Sequence, residues 1–218
     1  MKKKKNEIEP TVEPAEEKSN RRVFQEYSEA FVVAVILAII IRAFCVQAFK
    51  IPSSSMEPTL LIGDHILVNK FIYGIRVPFT KLRWPVFRDP ARGDVIVFVY
   101  PEDRTKDFIK RVVAIPGDTI EIDDKRVVLN GEVIEEPFAV HRDRRVLVSP
   151  GSPRDYLPPM TIPKDKLFVM GDNRDHSHDS RYWKFVPVED VKGNAFLIYY
   201  SAARFPKIRW DRLFKVIR

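Results

Sequence analysis

The sequence is poor in the residues from which several common sites are built. A single cysteine, Cys45, among 218 residues excludes an intrachain disulfide and a cysteine-based zinc centre. The eight glycines form no glycine-rich phosphate loop, and the chain has no internal repeat. The chemistry therefore has to come from hydroxyl, amine, carboxylate or imidazole groups.

The sequence also lacks an even distribution of positive charge along the chain. The net charge is +7, which suggests a nucleic-acid partner at first sight. The excess lies mainly at the C-terminal end, where residues 204–218 carry six lysines or arginines and one acid. Residues 50–203 are nearly neutral, so we expect no nucleic-acid partner.

The N-terminal region divides into a charged tail and an apolar segment. Residues 1–22 alternate lysines with glutamates and prolines, which predicts a disordered cytoplasmic tail. The run Ala30–Ile41 is unbroken and apolar, and its continuation to Phe49 gives about 20 residues, or ~30 Å as a helix. A buried core helix, a cleaved signal peptide and a retained membrane anchor all fit this pattern.

We favour a single transmembrane anchor over residues 23–49. Lysines and arginines before the apolar run indicate that the N-terminus stays in the cytoplasm. Residues 50–218 would then form a domain on the outer side of the membrane.

Short β-type runs separated by proline and glycine fill the rest of the chain, which predicts an all-β domain. The expected strands are His65–Val68, Asp94–Tyr100, Phe108–Ile115, Thr119–Ile122, Arg126–Leu129, Leu167–Met170 and Ala195–Tyr200. Val127–Ile134 predicts a hairpin with a tight Asn130-Gly131 turn.

A serine run, Ser53-Ser54-Ser55, follows the apolar segment. Serine runs are usually flexible linkers. Met56 and Leu60 follow closely, however, and apolar neighbours favour a packed loop that presents hydroxyl groups. Both interpretations stay open on the residues alone.

Lys110 and Arg111 are neighbours in a strand-like run. Neighbouring side chains of a strand point to opposite faces, so one of the two must face inward unless a bulge intervenes. A lysine surrounded by apolar groups has a lowered pKa and can act as a general base near neutral pH. Such a lysine can activate a serine.

The stretch Gly171–Arg181 is dense in small polar residues. It predicts a salt-bridged turn, a zinc site on His176 and His178, or a histidine that activates Ser55. These three possibilities stay open here.

Taken together, these stretches resemble the type I bacterial signal peptidases. Ile51–Leu60 resembles the nucleophile box of that family, Arg92–Phe98 its central strand box, and Lys110–Val113 with Pro116-Gly117-Asp118 its lysine box. Gly171–Arg181 resembles the last box, with His176 and His178 where the family usually has other residues. The four boxes occur in the family's order.

The resemblance implies an antiparallel β-sheet catalytic domain and a serine–lysine dyad. Ser55 would be the nucleophile and Lys110 the general base, with Ser53 and the Ser55 backbone N–H as oxyanion hole. Ser177 would orient the lysine, and Asp179 and Arg181 would support it. Substrate pockets would be built by Ile51, Pro52, Met56, Leu60, Ile66, Val97, Asp107, Phe108, Ile109 and His178.

The resemblance further implies a bacterial inner-membrane endopeptidase that cleaves signal peptides of exported preproteins after small residues. It needs no metal or cofactor, and we expect a monomer with preproteins and the lipid bilayer as partners. Residues 119–166 would form a small accessory β insertion. The basic tail 204–218 would contact the membrane surface or pack on the domain.

Two rival hypotheses remain. One is a self-cleaving regulator of the SOS-repressor kind, which uses the same serine–lysine chemistry. The other is a membrane-tethered β-domain without catalysis, in which the serine run is only a linker.

Overall fold

The computed structural model describes residues 15–40, 45–74, 86–147, 152–204 and 207–218. The chain divides into two compact units, Met1–Arg42 and Ala43–Arg218.

The first unit contains one helix, α1, from Ala15 to Ile40. Residues 15–22 of the segment predicted to be disordered are helical in the structure, and residues 1–14 lie outside the described part. Within the described residues, no helix combines the length and the apolar character that crossing a membrane requires.

The predicted anchor segment also ends differently from our expectation. The described part of the helix extends to Ile40, residues 41–44 lie outside the described part, and Val46–Lys50 is the first β-strand, β1. This strand pairs antiparallel with β2, residue Phe49 opposite Ile66. Backbone pairing with β2 therefore fixes these five residues as part of the second unit.

The second unit is built on an antiparallel sheet with the order β1-β2-β11-β3-β4-β9-β10, and β12 and β13 add to β11. Its strands are Val46–Lys50 (β1), Asp64–Asn69 (β2), Val95–Val99 (β3), Asp107–Ala114 (β4), Lys166–Met170 (β9), Val186–Pro187 (β10), Val191–Arg204 (β11), Lys207–Ile208 (β12) and Lys215–Val216 (β13). A short helix, α2, spans Ser180–Trp183.

A second sheet of four strands has the order β7-β6-β5-β8. It comprises Thr119–Asp123 (β5), Arg126–Leu129 (β6), Glu132–Val133 (β7) and Leu157–Thr161 (β8). The predicted hairpin is confirmed: Asn130 and Gly131 have φ values of 54° and 87°, as a tight turn of mirror-image type requires. All four strands fall inside the range 119–166.

The seven predicted strands are all present, and the all-β prediction for this unit is confirmed. The strands that the sequence did not predict are β1, β8, β10, β12 and β13, whereas β7 is the second arm of the predicted hairpin. Several of these are two residues long, and β8 contains Pro158 and Pro159, which lower the strand signal. They form because a neighbouring strand offers free backbone groups.

Three apolar clusters make up the core. The cluster that underlies the candidate site joins the serine loop to β2, β3 and β11. Its buried members are Ile51, Met56, Leu60, Ile66, Val68, Val95, Val97, Ala195 and Ile198. The serine run is therefore part of a packed loop, and the linker interpretation is wrong.

Candidate active site

Ser55 and Lys110 meet inside the second unit. The Lys110 Nζ donates a hydrogen bond of 2.7 Å to the Ser55 Oγ. Ser55 lies in the loop between β1 and β2, and Lys110 lies in β4, so two elements 55 residues apart bring the pair together. The side chains are 7% and 4% exposed. The geometry is that of a nucleophile with an adjacent base.

Burial changes the acid–base chemistry of Lys110. Loss of hydration lowers the pKa of its amine from 10.5 to about 8. The negative charge of Asp179 opposes this shift, and the positive charge of Arg181 assists it. The uncharged amine is therefore accessible close to neutral pH, and only that form can take a proton from a serine.

Lys110 and its neighbour Arg111 are both buried, which goes further than the expectation that one faces inward. In the β3–β4 pairing, Lys110 stands opposite Ile96 and Arg111 opposite Val95. Arg111 binds both carboxylate oxygens of Asp172, at 2.8 and 2.7 Å. The strand thus carries a titratable amine and a permanently charged guanidinium on successive residues.

The serine loop is held by Asn173 from the Gly171–Arg181 stretch. The Asn173 backbone N–H donates to the carbonyl of Ser55 at 3.1 Å, and its Nδ2 donates to the carbonyl of Ser54 at 3.1 Å. Thr59 donates to Asp172 Oδ2 at 2.5 Å. These contacts fix the backbone on both sides of Ser55.

Ser53 lies beside the nucleophile, with 3.4 Å between its Oγ and that of Ser55. Ser177 is buried, and its hydroxyl lies close enough to the Asp179 carboxylate to help lower the pKa of that group. A Cβ placed on Gly171 would lie 2.3 Å from the Ser177 Oγ and 2.4 Å from the Ser55 carbonyl oxygen. Ser177 therefore lies at the site, although the Lys110 amine donates to Ser55 and not to it.

Asp179 and Arg181 form a buried ion pair that folds the end of the stretch. Arg181 Nε and one terminal nitrogen each lie 2.9 Å from the Asp179 carboxylate. Burial raises the pKa of Asp179, but the charge and hydrogen bonds of Arg181 outweigh this and lower it overall. Asp179 also accepts from the backbone N–H of Gly171 at 3.0 Å. The pair therefore shapes the backbone next to Ser177.

Most of the predicted pocket residues lie in one place. Ile51, Met56, Leu60, Ile66 and Val97 belong to the core cluster under the serine loop, and Ile109 packs against it. Pro52 and Asp107 are exposed, and Asp107 accepts from Lys192 at 2.7 Å.

Phe108, which lies in β4, and His178, which lies in the loop before α2, belong to one aromatic group. Phe108 stacks on Tyr100 at 4.2 Å between ring centroids, and the Lys110 Nζ lies 5.6 Å from the Phe108 ring. His178 is 3.3 Å from the Tyr100 hydroxyl and contacts Tyr182. His178 is half-exposed and forms no hydrogen bond with Ser55, so the structure gives no geometry for a histidine-activated serine.

No group of three histidine, cysteine, aspartate or glutamate side chains in the described residues is arranged to hold a metal ion. His176 is exposed, and the neighbours of His178 are aromatic rings and Glu102. The histidine pair therefore has no third ligand in that part of the chain.

Sequence reasoning missed the network around Arg111 and Asp172. Arg111 also donates to the carbonyls of Gly93 and Arg218, and it stacks on Phe138 at 3.9 Å. It missed equally the contact of Arg212 with Asp64, at the foot of the serine loop. Both pairs join residues more than 60 positions apart, so no local spacing could reveal them.

Comparison with known proteins agrees with this geometry. The family model described as signal peptidase, peptidase S26, matches residues 24–200. The signal peptidase I of Pseudomonas aeruginosa is 38% identical over 90% of this chain and 78% of its own length. The signal peptidase I of Aquifex aeolicus is 36% identical over 77% of this chain and 81% of its own.

One solved structure, a signal peptidase I from Enterococcus faecalis, is 31% identical with a TM-score of 0.40, over 49% of this chain and 97% of its own. The family model alone covers far more than half of the present chain, and it favours the signal peptidase hypothesis over the self-cleaving repressor. The chain therefore belongs to the signal peptidase family, peptidase S26.

Proposed function

We propose that this protein is a membrane-bound serine endopeptidase that removes N-terminal signal peptides from exported preproteins, with Ser55 as nucleophile and Lys110 as general base. The observation that carries the proposal is the 2.7 Å hydrogen bond between the buried amine and the serine hydroxyl. Family membership supplies the substrate class.

The reaction begins with the uncharged Lys110 amine. It takes the proton of Ser55, whose Oγ attacks the carbonyl carbon of the scissile peptide. The oxyanion accepts hydrogen bonds from the Ser55 backbone N–H and the Ser53 hydroxyl. The protonated lysine then gives its proton to the leaving amine as the C–N bond breaks, which leaves an acyl-enzyme.

Water completes the cycle. Lys110, again uncharged, takes a proton from a water molecule that attacks the ester carbonyl. The bond to Ser55 breaks, and the serine oxygen regains its proton from the lysine. Ser177 is proposed to orient the amine during these transfers, since its hydroxyl is buried next to Gly171, where the Ser55 carbonyl also approaches.

The substrate has a place to bind on β4. Pairing of β4 with β9 begins only at Arg111, opposite Met170, whereas pairing with β3 begins at Asp107. One edge of residues 107–110 is therefore not used by β9, and it ends at the base. An extended peptide can add to such an edge through backbone hydrogen bonds. The apolar cluster with Ile51 and Ile109 lies beside this edge, and the preference for small side chains next to the cut is proposed from family membership.

Membrane attachment is part of the proposal. The apolar run of α1 carries large exposed side chains, of which Phe31, Val33 and Ile39 are between 61% and 69% exposed. In the second unit, Trp210 and Phe214 are 73% and 72% exposed, next to the basic residues of the C-terminal segment. Aromatic and basic side chains together suit the headgroup region of an anionic bilayer.

The test is covalent and kinetic. Purified full-length protein is incubated with a serine-reactive acylating probe, and cleavage of a preprotein with an Ala-x-Ala site is measured in parallel. We expect Ser55→Ala to lose both labelling and cleavage, and Lys110→Met to lose both while staying folded. Ser54→Ala is the matched control, since it removes a neighbouring hydroxyl, and we expect it to keep both. Cleavage by Ser55→Ala would disprove the assignment of the nucleophile.

A further inference from the structure

The loop that carries the nucleophile has little regular structure of its own. Between Ile51 and Asp64 it contains neither a strand nor an α-helix, and only short-range backbone bonds, such as Leu60 N–H to Met56 carbonyl at 2.9 Å, span its interior. A loop of this length pays a conformational entropy cost for every residue that is held in one geometry. Precise placement of Ser55 therefore requires contacts from elsewhere in the chain.

Asp64 closes the loop at its C-terminal end. Its backbone carbonyl accepts from the Ile51 N–H at 2.8 Å, and its carboxylate accepts from the Leu61 N–H at 2.8 Å. Gly63, between these positions, adopts φ of 89°, and a Cβ on it would lie 2.0 Å from the Ala202 carbonyl oxygen. The two ends of the loop are thus tied together and pressed against β11.

The carboxylate of Asp64 is completely buried and is bound by the C-terminal segment 207–218. Arg212 Nη2 lies 2.5 Å from one carboxylate oxygen, and Arg212 Nε lies 3.3 Å from the other. Ser201 donates to Asp64 at 2.6 Å, and Arg209 lies 3.5 Å away. Burial raises the pKa of Asp64, but Arg212, Ser201 and the Leu61 N–H outweigh this and lower it overall, so the carboxylate stays charged.

Arg212 reaches the loop directly as well. The same Nη2 donates to the carbonyl of Thr59 at 2.8 Å. Arg209 donates from both terminal nitrogens to the carbonyl of Ile62, at 3.2 Å each. The side chain of Ile217, from the end of the same segment, packs against the apolar cluster of Ile51 and Met56. The segment 207–218 therefore contacts the loop in three ways: at the backbone carbonyls of Thr59 and Ile62, at the Asp64 carboxylate, and at the apolar cluster beneath the loop.

We propose that Arg212 is a positioning residue for Ser55, and that the segment 207–218 acts as a clamp on the nucleophile loop. Arg212 touches neither Ser55 nor Lys110. It acts through Asp64 and the Thr59 carbonyl, which fix the half of the loop that follows the nucleophile. Asn173 fixes the half around Ser54 and Ser55. Both supports are needed, because an error of about 1 Å at a reacting atom can lower the rate 10²-fold.

The inference rests on the proposed function. The test measures separately how many active sites are present and how fast the serine at each site is acylated. When an acylating probe reacts with the full-length protein, it releases its leaving group in a burst. The amplitude of the burst counts the folded active sites. Its rate constant reports how well Ser55 is placed for attack. A purely structural role for Arg212 would lower the amplitude alone. We expect Arg212→Ala to lower the rate constant at each titrated site by about tenfold or more.

Two further variants complete the series. Arg212→Lys keeps the charge and at least one donor, and we expect it to recover part of the rate constant. Arg104→Ala is the matched control, since Arg104 makes a two-point ion pair with the buried Asp190, and neither residue belongs to the loop. We expect it to lower stability without changing the rate constant.

The outcomes are distinct. A rate constant for Arg212→Ala within twofold of the unmodified protein, with only the amplitude reduced, would overturn the clamp. If Arg212→Ala does not fold, Arg212→Lys decides the matter, because an unchanged rate constant in that variant, with reduced thermal stability, also overturns it. Absence of any burst in the unmodified protein would instead count against the serine–lysine mechanism.

Discussion

Lys110 owes its chemistry to the exclusion of water from its side chain. The amine is 4% exposed, and its partners are a serine hydroxyl and the face of Phe108. Loss of hydration lowers its pKa to about 8, which brings the uncharged form within reach at moderately alkaline pH. The same burial has an energetic cost at neutral pH, where the amine is protonated.

The pH dependence of the reaction follows from this pKa. Since the base must be uncharged, kcat/KM should rise tenfold per pH unit below about 8 and level off above it. The measurement is the initial rate of peptide cleavage at low substrate concentration between pH 6 and 10. A rate that is constant across this range, with cleavage still dependent on Lys110, would contradict a base with this pKa.

The free energy of unfolding should also depend on pH through the lowered pKa of Lys110. Between pH 8 and 10.5 the folded state has lost the Lys110 proton while the unfolded state keeps it, so the free energy of unfolding rises with pH. Relative to Lys110→Met, the unmodified protein should gain about 3 kcal/mol between pH 7 and 10.5. Denaturant titrations of both proteins at the two pH values measure this. An equal difference at both pH values would show that burial does not shift the pKa.

At the scale of elements, the stretch after β9 packs directly against the nucleophile loop. Gly171 is the point of closest approach, since a Cβ there would lie 2.4 Å from the Ser55 carbonyl oxygen. Contacts this short do not occur in folded proteins, and the obstructing atom belongs to the backbone. The absence of a side chain at position 171 is therefore a condition for the position of Ser55.

Gly171→Ala should separate the two elements. We expect kcat/KM to fall by about 10²-fold or more, because the loop must shift, and the free energy of unfolding to fall by about 1–3 kcal/mol. Gly117→Ala is the control: its φ of 89° carries backbone strain, but its Cβ would meet nothing within 4 Å. The control should lose some stability and keep its kcat/KM. Normal activity in Gly171→Ala would show that the loop can move without loss of function.

The elements were predictable wherever the signal is local. Turn residues located the Asn130-Gly131 hairpin, and alternation located β4 with Lys110 in it. The strand β1 was taken for the end of an apolar helix, because the letters of Val46–Phe49 suit either structure and only pairing with β2 decides between them. Arg212 gave no local signal, because its partner Asp64 is 148 residues away along the chain.

At the scale of the whole molecule, the basic C-terminal segment packs on the domain and also leaves side chains available for the membrane contact that we propose. It packs on the domain through β12, β13 and the buried Arg212. It also presents Trp210 and Phe214 to the outside, more than 70% exposed. Packing and the proposed membrane contact therefore do not exclude each other, because they would use different side chains of one segment.

Membrane contact by this segment can be measured on protein that keeps its full chain. The variant Trp210→Ser with Phe214→Ser should bind less to vesicles containing anionic lipid and cleave a vesicle-borne preprotein more slowly, with unchanged cleavage of a soluble peptide. Val133→Ser removes an exposed apolar side chain from the second sheet and serves as control. Equal cleavage rates of the vesicle-borne preprotein by the unmodified protein, the double variant and Val133→Ser would contradict a membrane role for Trp210 and Phe214.

The order of the two adjacent residues Lys110 and Arg111 in β4 has a consequence of its own. A chain with Lys110 and Arg111 exchanged would have the same mass, the same composition and the same net charge as this one. Its guanidinium would stand against Ser55 and could not release a proton, and its amine would stand against Asp172 and be held in the charged form. Amino-acid composition therefore cannot distinguish this protein from a variant with the two residues exchanged, which would lack the base. The difference is only which of two successive strand positions, and so which face of the sheet, carries the lysine.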